Sequence, residues 1–328
     1  MHPRSSRTQP EQPETTGRPA WLTQDRTPLG GISVPKAPAD TLLGARDRIA
    51  SRWFALRGVF EGDAAPAQEA SAPAAVHVPV MAVFSLAGGV GKTSLVATLG
   101  RALSARGERV LLVDTAAFGL LPFFFGARDQ RPGMLRTFTS PDAVGDAPIQ
   151  MLTIDPESLG PEAPNQDALS AEIARYSRSG ISRVIVDLAT ASTLTTRRIL
   201  SMAPTVLVPV VPDMTSVVSV SSIDAFFQRH SAAGSKALPH YVLNQFDPTL
   251  PLHLDVREVL REQLGDRLLP FAIRRAPAVS EALAEGMTVM DYAPDSPVAE
   301  DFASLAGWVK SFLGQAGASF RGVRWRER

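Results

Sequence analysis

The chain has 328 residues, of which 45% are hydrophobic, and its 33 basic side chains are balanced by 33 acidic ones. This length is enough for one large globular domain and an appendage. Zero net charge argues against broad electrostatic attraction to nucleic acid or to an anionic membrane. The chain contains no cysteine, which excludes disulfides, thiolate metal sites and cysteine-held iron–sulfur clusters. It shows neither a secretory signal nor an apolar run of roughly 20 residues that could span a bilayer, so we expect a cytoplasmic protein.

The N-terminal residues 1–75 contain nine of the 27 prolines and are predicted to form a mostly disordered arm. Within this arm, residues 41–60 repeat large apolar side chains at helical spacing, with arginines between them, which predicts an amphipathic helix. The apolar positions are Leu42, Ile49, Trp53, Leu56 and Phe60. Such a helix packs on the core of its own chain, or docks on a partner or a membrane surface, and the spacing is compatible with all three.

From residue 76 to residue 315 the pattern becomes regular, with short apolar runs that alternate with helical periodicity. The runs predict strands at 78–84, 109–113, 150–154, 183–188, 205–210, 240–243 and 268–273. The predicted helices are 93–106, 166–179, 193–202, 215–230, 254–264, 280–285 and 298–313. We therefore predict an α/β fold with a doubly wound, mostly parallel sheet that carries helices on both faces. A basic tail at 316–328 follows; a solvated end is favoured there over contact with anionic lipid or nucleic acid.

A glycine-rich turn, Ala87-Gly-Gly-Val-Gly-Lys-Thr-Ser94, joins the first predicted strand to the first predicted helix. Glycines let backbone N–H groups converge on an anion, and the helix N-terminus and a lysine add positive charge. A glycine turn is often only a turn, but a preceding strand and a following Lys-Thr at a helix start favour a phosphate site. The predicted nucleotide-binding residues are Gly88, Gly89, Val90, Gly91, Lys92, Thr93 and Ser94. The strict pattern G-x-x-x-x-G-K-[ST] is incomplete, because Leu86 occupies its first position.

Two aspartates follow apolar strands at the edge where open α/β sheets bind ligands. Asp187 ends the strand at 183–187, and we predict that it accepts a hydrogen bond from Mg²⁺-bound water; the alternative is a helix N-cap. Asp114 ends the apolar run Val110-Leu-Leu-Val-Asp114 in the same way. The predicted metal set is therefore Thr93, Asp114 and Asp187, and the predicted catalytic residues are Lys92 and Asp187.

These segments resemble the MinD/ParA class of P-loop ATPases, whose Walker A motif is of the deviant type. The resemblance covers about 79–313, and within the class it is strongest to the BcsQ (YhjQ) family of cellulose-biosynthesis proteins, chiefly through 268–292. It implies ATP and Mg²⁺ as cofactors. It also implies that Asn244, in the loop after the strand at 240–243, contacts the adenine, with Pro270 flanking the base.

The chain departs from this class at two positions. The class has a lysine at the position of Ala87, which reaches across an ATP-sandwich dimer, and an aspartate at the position of Ala116, which orients the attacking water. A charge supplied in trans is worth about 10³- to 10⁵-fold in phosphoryl transfer. Losing both groups predicts very slow hydrolysis by a protein that still holds nucleotide.

The resemblance therefore implies an ATP-binding, dimerising adaptor of a bacterial cellulose (exopolysaccharide) synthesis and secretion complex. Its expected partners are a second copy of the chain, with ATP at the interface, and subunits of the membrane-bound complex; nucleic acid is not expected. Peripheral association with the inner membrane is compatible with this role. The alternatives are an active MinD/ParA-type ATPase that positions a cellular cargo, and a pseudo-ATPase that binds no nucleotide.

Overall fold

The computed structural model describes residues 78–116, 119–127, 133, 135–140, 145–154, 168–177, 180–189, 193–230 and 238–319. The predicted arm at 1–75, its helix at 41–60 and the last residues of the predicted tail, 320–328, lie outside this part of the chain. In the described part, no helix is both long enough and apolar enough to cross a membrane.

Eight strands form one sheet, in the spatial order β3-β4-β2-β5-β1-β6-β7-β8. Neighbouring strands pair in parallel, except that β3 runs antiparallel to β4 at one edge. The strands are β1 (Val80–Val83), β2 (Val110–Asp114), β3 (Leu135–Phe138), β4 (Ile149–Thr153), β5 (Arg183–Asp187), β6 (Thr205–Val210), β7 (His240–Phe246) and β8 (Leu268–Arg274). The prediction of a doubly wound, mostly parallel sheet is confirmed.

Eight α-helices and two short 3₁₀ helices connect the strands within the described residues. The α-helices are α1 (Lys92–Ser104), α2 (Ala168–Ser177), α3 (Thr193–Leu200), α4 (Met214–His230), α5 (Pro251–Leu264), α6 (Pro277–Ala284), α7 (Val289–Tyr292) and α8 (Pro297–Ser319). The 3₁₀ helices are Leu121–Phe125 and Gly265–Arg267. All seven predicted helices have a counterpart here, with ends that differ by a few residues.

Helices cover both faces of the sheet because alternate side chains of a buried strand point in opposite directions. Met81 and Val83 of β1 belong to the same apolar core as Leu99 of α1, and α1 packs beside α8. On the other face, the ring of Phe84 stacks on that of Phe226 in α4, with centroids 5.3 Å apart. Strands β1, β2 and β5 are buried along their whole length and lie side by side in the middle of the sheet.

Three features differ from the sequence-based expectations. Strand β3 was not predicted, because this partly exposed edge strand has the polar residues Arg136 and Thr137 at its centre. The single-turn helix α7 is too short to give a periodic signal. Strand β7 continues to Phe246, so the prediction that Asn244 lies in a loop after the strand was wrong. The polar pair Asn244-Gln245 ends the apolar run, but β7 continues past it and pairs with β8, with a shift of register at this point.

Candidate functional site

The glycine loop, residues 87–93, connects β1 to α1 at the carboxyl edge of the sheet. Gly89 and Gly91 have φ angles of +77° and +84°, in the left-handed region that other residues rarely adopt. A Cβ at Gly91 would also lie 2.6 Å from Nδ2 of Asn244. The sequence position immediately before α1 therefore needs glycine for two reasons, and the loop can bring its backbone N–H groups close to a ligand.

Lys92 is the first residue of α1, where the helix N-terminus adds to its positive charge. Its Nζ donates a hydrogen bond to Oγ of Ser85, at 3.3 Å. Burial lowers the pKa of Lys92, and the nearby carboxylate of Asp187 acts in the opposite direction. The hydrogen bond to Ser85 and the charge of Asp187 hold the ammonium group at the glycine loop, where the sequence predicts a phosphate.

The Thr93 hydroxyl and the Asp187 carboxylate meet directly. Thr93 Oγ1 donates to Asp187 Oδ2 over 2.6 Å, and Asp187 is only 3% exposed at the end of β5. Burial raises the pKa of Asp187, while the hydrogen bond from Thr93 and the charge of Lys92 lower it. A hydroxyl and a carboxylate side by side next to an anion site are the oxygen donors that Mg²⁺ uses when phosphates complete its coordination. These residues therefore fit a magnesium–nucleotide complex.

Asp114 lies beside Asp187 in the register of β2 and β5, but its carboxyl group faces the loop after β2. Its Oδ1 accepts a hydrogen bond from the backbone N–H of Ala116 at 3.0 Å, and its Oδ2 accepts one from Leu121 at 3.4 Å. The residue is fully buried, and burial, with a contribution from Asp187, raises its pKa to about 7. The role of Asp114 in metal binding remains a prediction, whereas its contacts assign it to holding this loop.

The two alanines that depart from the MinD/ParA pattern lie in the loops that follow β1 and β2. Ala87 is exposed on the glycine loop. Ala116 is half-buried and offers its backbone N–H to Asp114. Neither side chain can carry charge or orient a water molecule.

A cavity of about 470 Å³ adjoins the glycine loop on the side of β7 and β8. Its lining includes Gly91 and Ser94, Asn244 and Gln245, and the segment 273–277 at the end of β8. Pro270 is not among the lining residues: it is exposed in the middle of β8, four positions before the carboxyl end of that strand. The structure thus brings Asn244 and Ser94 to the glycine loop but not Pro270, and the proline that borders the cavity is Pro277.

The far wall of this cavity is anchored by an ion pair that the sequence did not indicate. Asp301 of α8 accepts three hydrogen bonds from Arg274, from its backbone N at 2.9 Å and from Nε and Nη2 at 2.7 Å each. Their sequence separation is 27 residues, so no local pattern could have identified the pair. The contact fixes the position at which β8 leaves the sheet towards α6.

Gln245 is a further residue that sequence reasoning missed. Its Nε2 donates to the carbonyl oxygen of Gly89 at 3.0 Å, while Nδ2 of Asn244 donates to that of Val90 at 2.8 Å. Gln245 also borders a smaller cavity of about 230 Å³ between the glycine loop and the start of α4, whose lining includes Asp213. Its proximity to Asn244 was the only available signal.

Comparison with known proteins agrees with this geometry. Residues 78–309 match the model of the family described as "Cellulose biosynthesis protein BcsQ". The chain is 28% identical to the BcsQ protein of Salmonella typhimurium over 255 residues, which covers 70% of this chain and 93% of that protein. It is 26% identical to the chromosome-partitioning ATPase Soj of Thermus thermophilus over 242 residues, covering 72% and 97%. The fold is similar to that of the septum site-determining protein MinD of Pyrococcus horikoshii in complex with Mg-ADP, with a TM-score of 0.54, 19% identity and coverage of 73% and 98%.

Proposed function

Since the chain belongs to the family of the cellulose biosynthesis protein BcsQ, we propose that it is an ATP-binding adaptor of a bacterial cellulose synthesis and secretion complex. In this proposal a homodimer holds ATP at its interface and recruits subunits of the membrane-bound complex. The observation that carries the nucleotide-binding part is the contact of Thr93 with Asp187 beside the glycine loop.

The residues present have the chemistry to hold Mg-ATP. Backbone N–H groups of 88–93 and the ammonium of Lys92 would bind the phosphates, and the oxygen atoms of Thr93 and Asp187 would hold Mg²⁺, which prefers oxygen ligands. The cavity beside Asn244 has room for the base. When bound, Mg²⁺ would neutralise negative charge on the phosphates of the nucleotide.

Slow hydrolysis follows from the side chains at 87 and 116. Ala87 cannot supply a cation to the nucleotide of a partner subunit, and Ala116 cannot orient water. The groups that grip phosphate are retained while those that accelerate its transfer are absent. In this proposal ATP therefore stabilises the dimer by binding at its interface, and its hydrolysis contributes little.

An active ATPase that positions a cellular cargo is the second candidate. The match to Soj over 97% of that protein and the intact set of Lys92, Thr93 and Asp187 favour it. It requires another group of this chain to replace the two missing side chains.

Binding, assembly and turnover separate the candidates. We expect isothermal titration to show binding of Mg-ATP, light scattering to show a dimer with ATP, and turnover to stay below about one per minute, far under the median of about 10 s⁻¹ for enzymes. Faster turnover that Lys92→Ala abolishes would establish the active ATPase. If neither ATP nor ADP binds, the nucleotide-dependent proposal is overturned, and a monomer in saturating ATP would overturn the dimer.

The cellulose role is tested by pull-down of synthase subunits with the full chain, and failure to retain any of them would count against it.

A further inference from the structure

Four backbone carbonyl groups of the glycine loop, those of residues 87, 89, 90 and 91, accept hydrogen bonds. The donors and acceptors are Ser85 Oγ to Ala87 O at 2.5 Å, Gln245 Nε2 to Gly89 O at 3.0 Å, Asn244 Nδ2 to Val90 O at 2.8 Å and Leu95 N to Gly91 O at 2.9 Å. The first is local to the loop and the last is the opening bond of α1. The middle two come from consecutive residues of β7, more than 150 positions away in sequence.

Peptide geometry converts these two bonds into an orientation of N–H groups. In a planar trans peptide the C=O of one residue and the N–H of the next point in opposite directions. A bond from β7 to the Gly89 carbonyl therefore turns the N–H of Val90 away from β7, and the bond to the Val90 carbonyl does the same for the N–H of Gly91. Convergent backbone N–H groups are what an anion-binding loop requires.

The backbone of Gln245 explains how two consecutive strand residues reach the same loop. Successive side chains of a regular strand point to opposite faces. Gln245 has a φ of +56°, in the left-handed region, and this interrupts the alternation. Such a conformation is costly for a residue with a side chain, and it is characteristic of sites where the surrounding structure imposes it. Here it allows both amides to contact neighbouring carbonyls.

The positions of the two amides relative to the cavities distinguish their roles. Asn244 borders the larger cavity, whereas Gln245 borders both. The Asn244 amide carries two N–H groups and an acceptor oxygen, so its bond to Val90 is compatible with a second contact to a base. Gln245 places its donor on Gly89, at the exposed part of the glycine loop.

We infer that Gln245, together with Asn244, pre-organises the phosphate-binding loop, so that the amide pair sets affinity for the polyphosphate part of the nucleotide. Gln245 is then a positioning residue, which acts through the Gly89 carbonyl. This inference rests on the proposed nucleotide-binding function. It goes beyond that proposal because it predicts that the side chains of Asn244 and Gln245 raise the affinity even for tripolyphosphate, a ligand that has no base.

The experiment compares Mg-tripolyphosphate with Mg-ATP by isothermal titration. Gln245→Asn keeps an amide on a residue that tolerates positive φ, but it is one methylene too short for the 3.0 Å contact. Gln245→Gly removes the side chain and the backbone cost together. We expect both variants to bind both ligands about three- to tenfold more weakly, as expected for one lost hydrogen bond. Gln263→Asn, at an exposed position of α5, is the control.

Stability provides the readout that a purely structural role would not reproduce. Glycine adopts the left-handed backbone conformation without the cost that a side chain brings. Gln245→Gly is therefore expected to keep or raise the urea midpoint of unfolding while ligand affinity falls. Asn244→Ala is expected to lower the affinity for both ligands as well, and to lower that for ATP more than that for tripolyphosphate.

Several results would overturn the inference. Unchanged affinities in both Gln245 variants would show that the loop does not depend on this amide. A loss confined to ATP would make Gln245 a base contact instead. Wild-type protein that binds ATP but not tripolyphosphate would show that the loop has no independent phosphate affinity. Wild-type protein that binds neither ligand would overturn the proposed function as well.

Discussion

Two aspartates at neighbouring strand ends, Asp114 and Asp187, have different surroundings although sequence patterns treat them alike. Burial raises the pKa of Asp187, while the Thr93 hydroxyl and the Lys92 charge beside it act in the opposite direction. Asp114 has two backbone N–H donors, but burial dominates and raises its pKa to about 7. Near neutral pH, the nucleotide-free protein therefore contains a carboxyl group at the loop after β2 that is partly protonated.

Asp114→Asn should change how stability depends on pH. Since the folded pKa is above the unfolded one, the stability contributed by the neutral Asp114 is fully present below about pH 4 and is lost as pH rises through about 7. The asparagine does not titrate, so we expect the variant to gain about 2 to 4 kcal/mol relative to wild type between pH 5 and pH 8. Urea unfolding without nucleotide or metal measures this. The control Asp295→Asn, at an exposed position, should show no such gain, and parallel curves for wild type and Asp114→Asn would refute the prediction.

Two glycines of the same loop should differ in their tolerance of a methyl group. Gly91 has positive φ, and a Cβ there meets Asn244, so Gly91→Ala is expected to lower the free energy of unfolding by about 1 to 3 kcal/mol. A Cβ at Gly88 meets nothing within 4 Å, so Gly88→Ala serves as the matched control with little change expected. Chemical unfolding of both variants tests the difference. Equal losses would contradict the conformational argument.

At the scale of elements, the anchoring of β8 by α8 controls one wall of the larger cavity. Asp301→Asn removes the charge and one acceptor oxygen that hold Arg274, which lets the start of the β8–α6 connection move. We expect Mg-ATP affinity to fall about three- to tenfold with tripolyphosphate affinity unchanged. This differs from the pattern expected of the Gln245 variants, in which the affinities for both ligands fall.

The exposed pair Arg261–Glu258 on α5 supplies the control for that experiment. Glu258→Gln breaks an ion pair of the same kind away from the cavity and should leave both affinities unchanged. A loss of tripolyphosphate affinity in Asp301→Asn would show that the effect is not confined to the wall.

The elements that the sequence predicted well are those with an uninterrupted apolar pattern. Strands β1, β2 and β5 are buried on both sides, so their apolar runs are continuous, and the final aspartates of β2 and β5 mark the ligand edge. Prediction failed where long-range packing decides the outcome. Asn244 remains in β7 because of its ladder. Pro270 lies within the strand predicted at 268–273, and its contact with the base stays a prediction. Gln245 could not be identified, since its positive φ is not encoded in a local turn motif.

At the scale of the whole molecule, bound Mg-ATP should stabilise the fold by mass action. At a free concentration 100 times the Kd, the gain is about 2.7 kcal/mol, which is readable as a raised Tm. Thr93→Val should lose most of the magnesium-dependent part, because it removes the hydroxyl next to Asp187, while Thr93→Ser should retain it. Scanning fluorimetry with ATP, with and without EDTA, measures both. An EDTA-insensitive shift in wild type would contradict a magnesium role.

Hydrolysis should be recoverable if the two alanines are its cause. The double variant Ala87→Lys, Ala116→Asp restores the charged groups of the MinD/ParA pattern, and we expect its steady-state turnover to rise at least about tenfold, with dependence on protein concentration. The control Ala87→Met, Ala116→Asn has similar size without charge. Turnover equal in the two double variants would show that other residues limit hydrolysis.

Pro270 has a consequence of its own, apart from any ligand. Strand β8 lies at the end of the described sheet, so one side of its backbone has no neighbouring strand among the residues described. An edge strand is a template for unwanted pairing with other chains. A proline at its centre cannot donate to an added strand, and the register shifts between β7 and β8 further bend this edge. We therefore expect Pro270 to disfavour pairing of the β8 edge with strands of other copies of the chain.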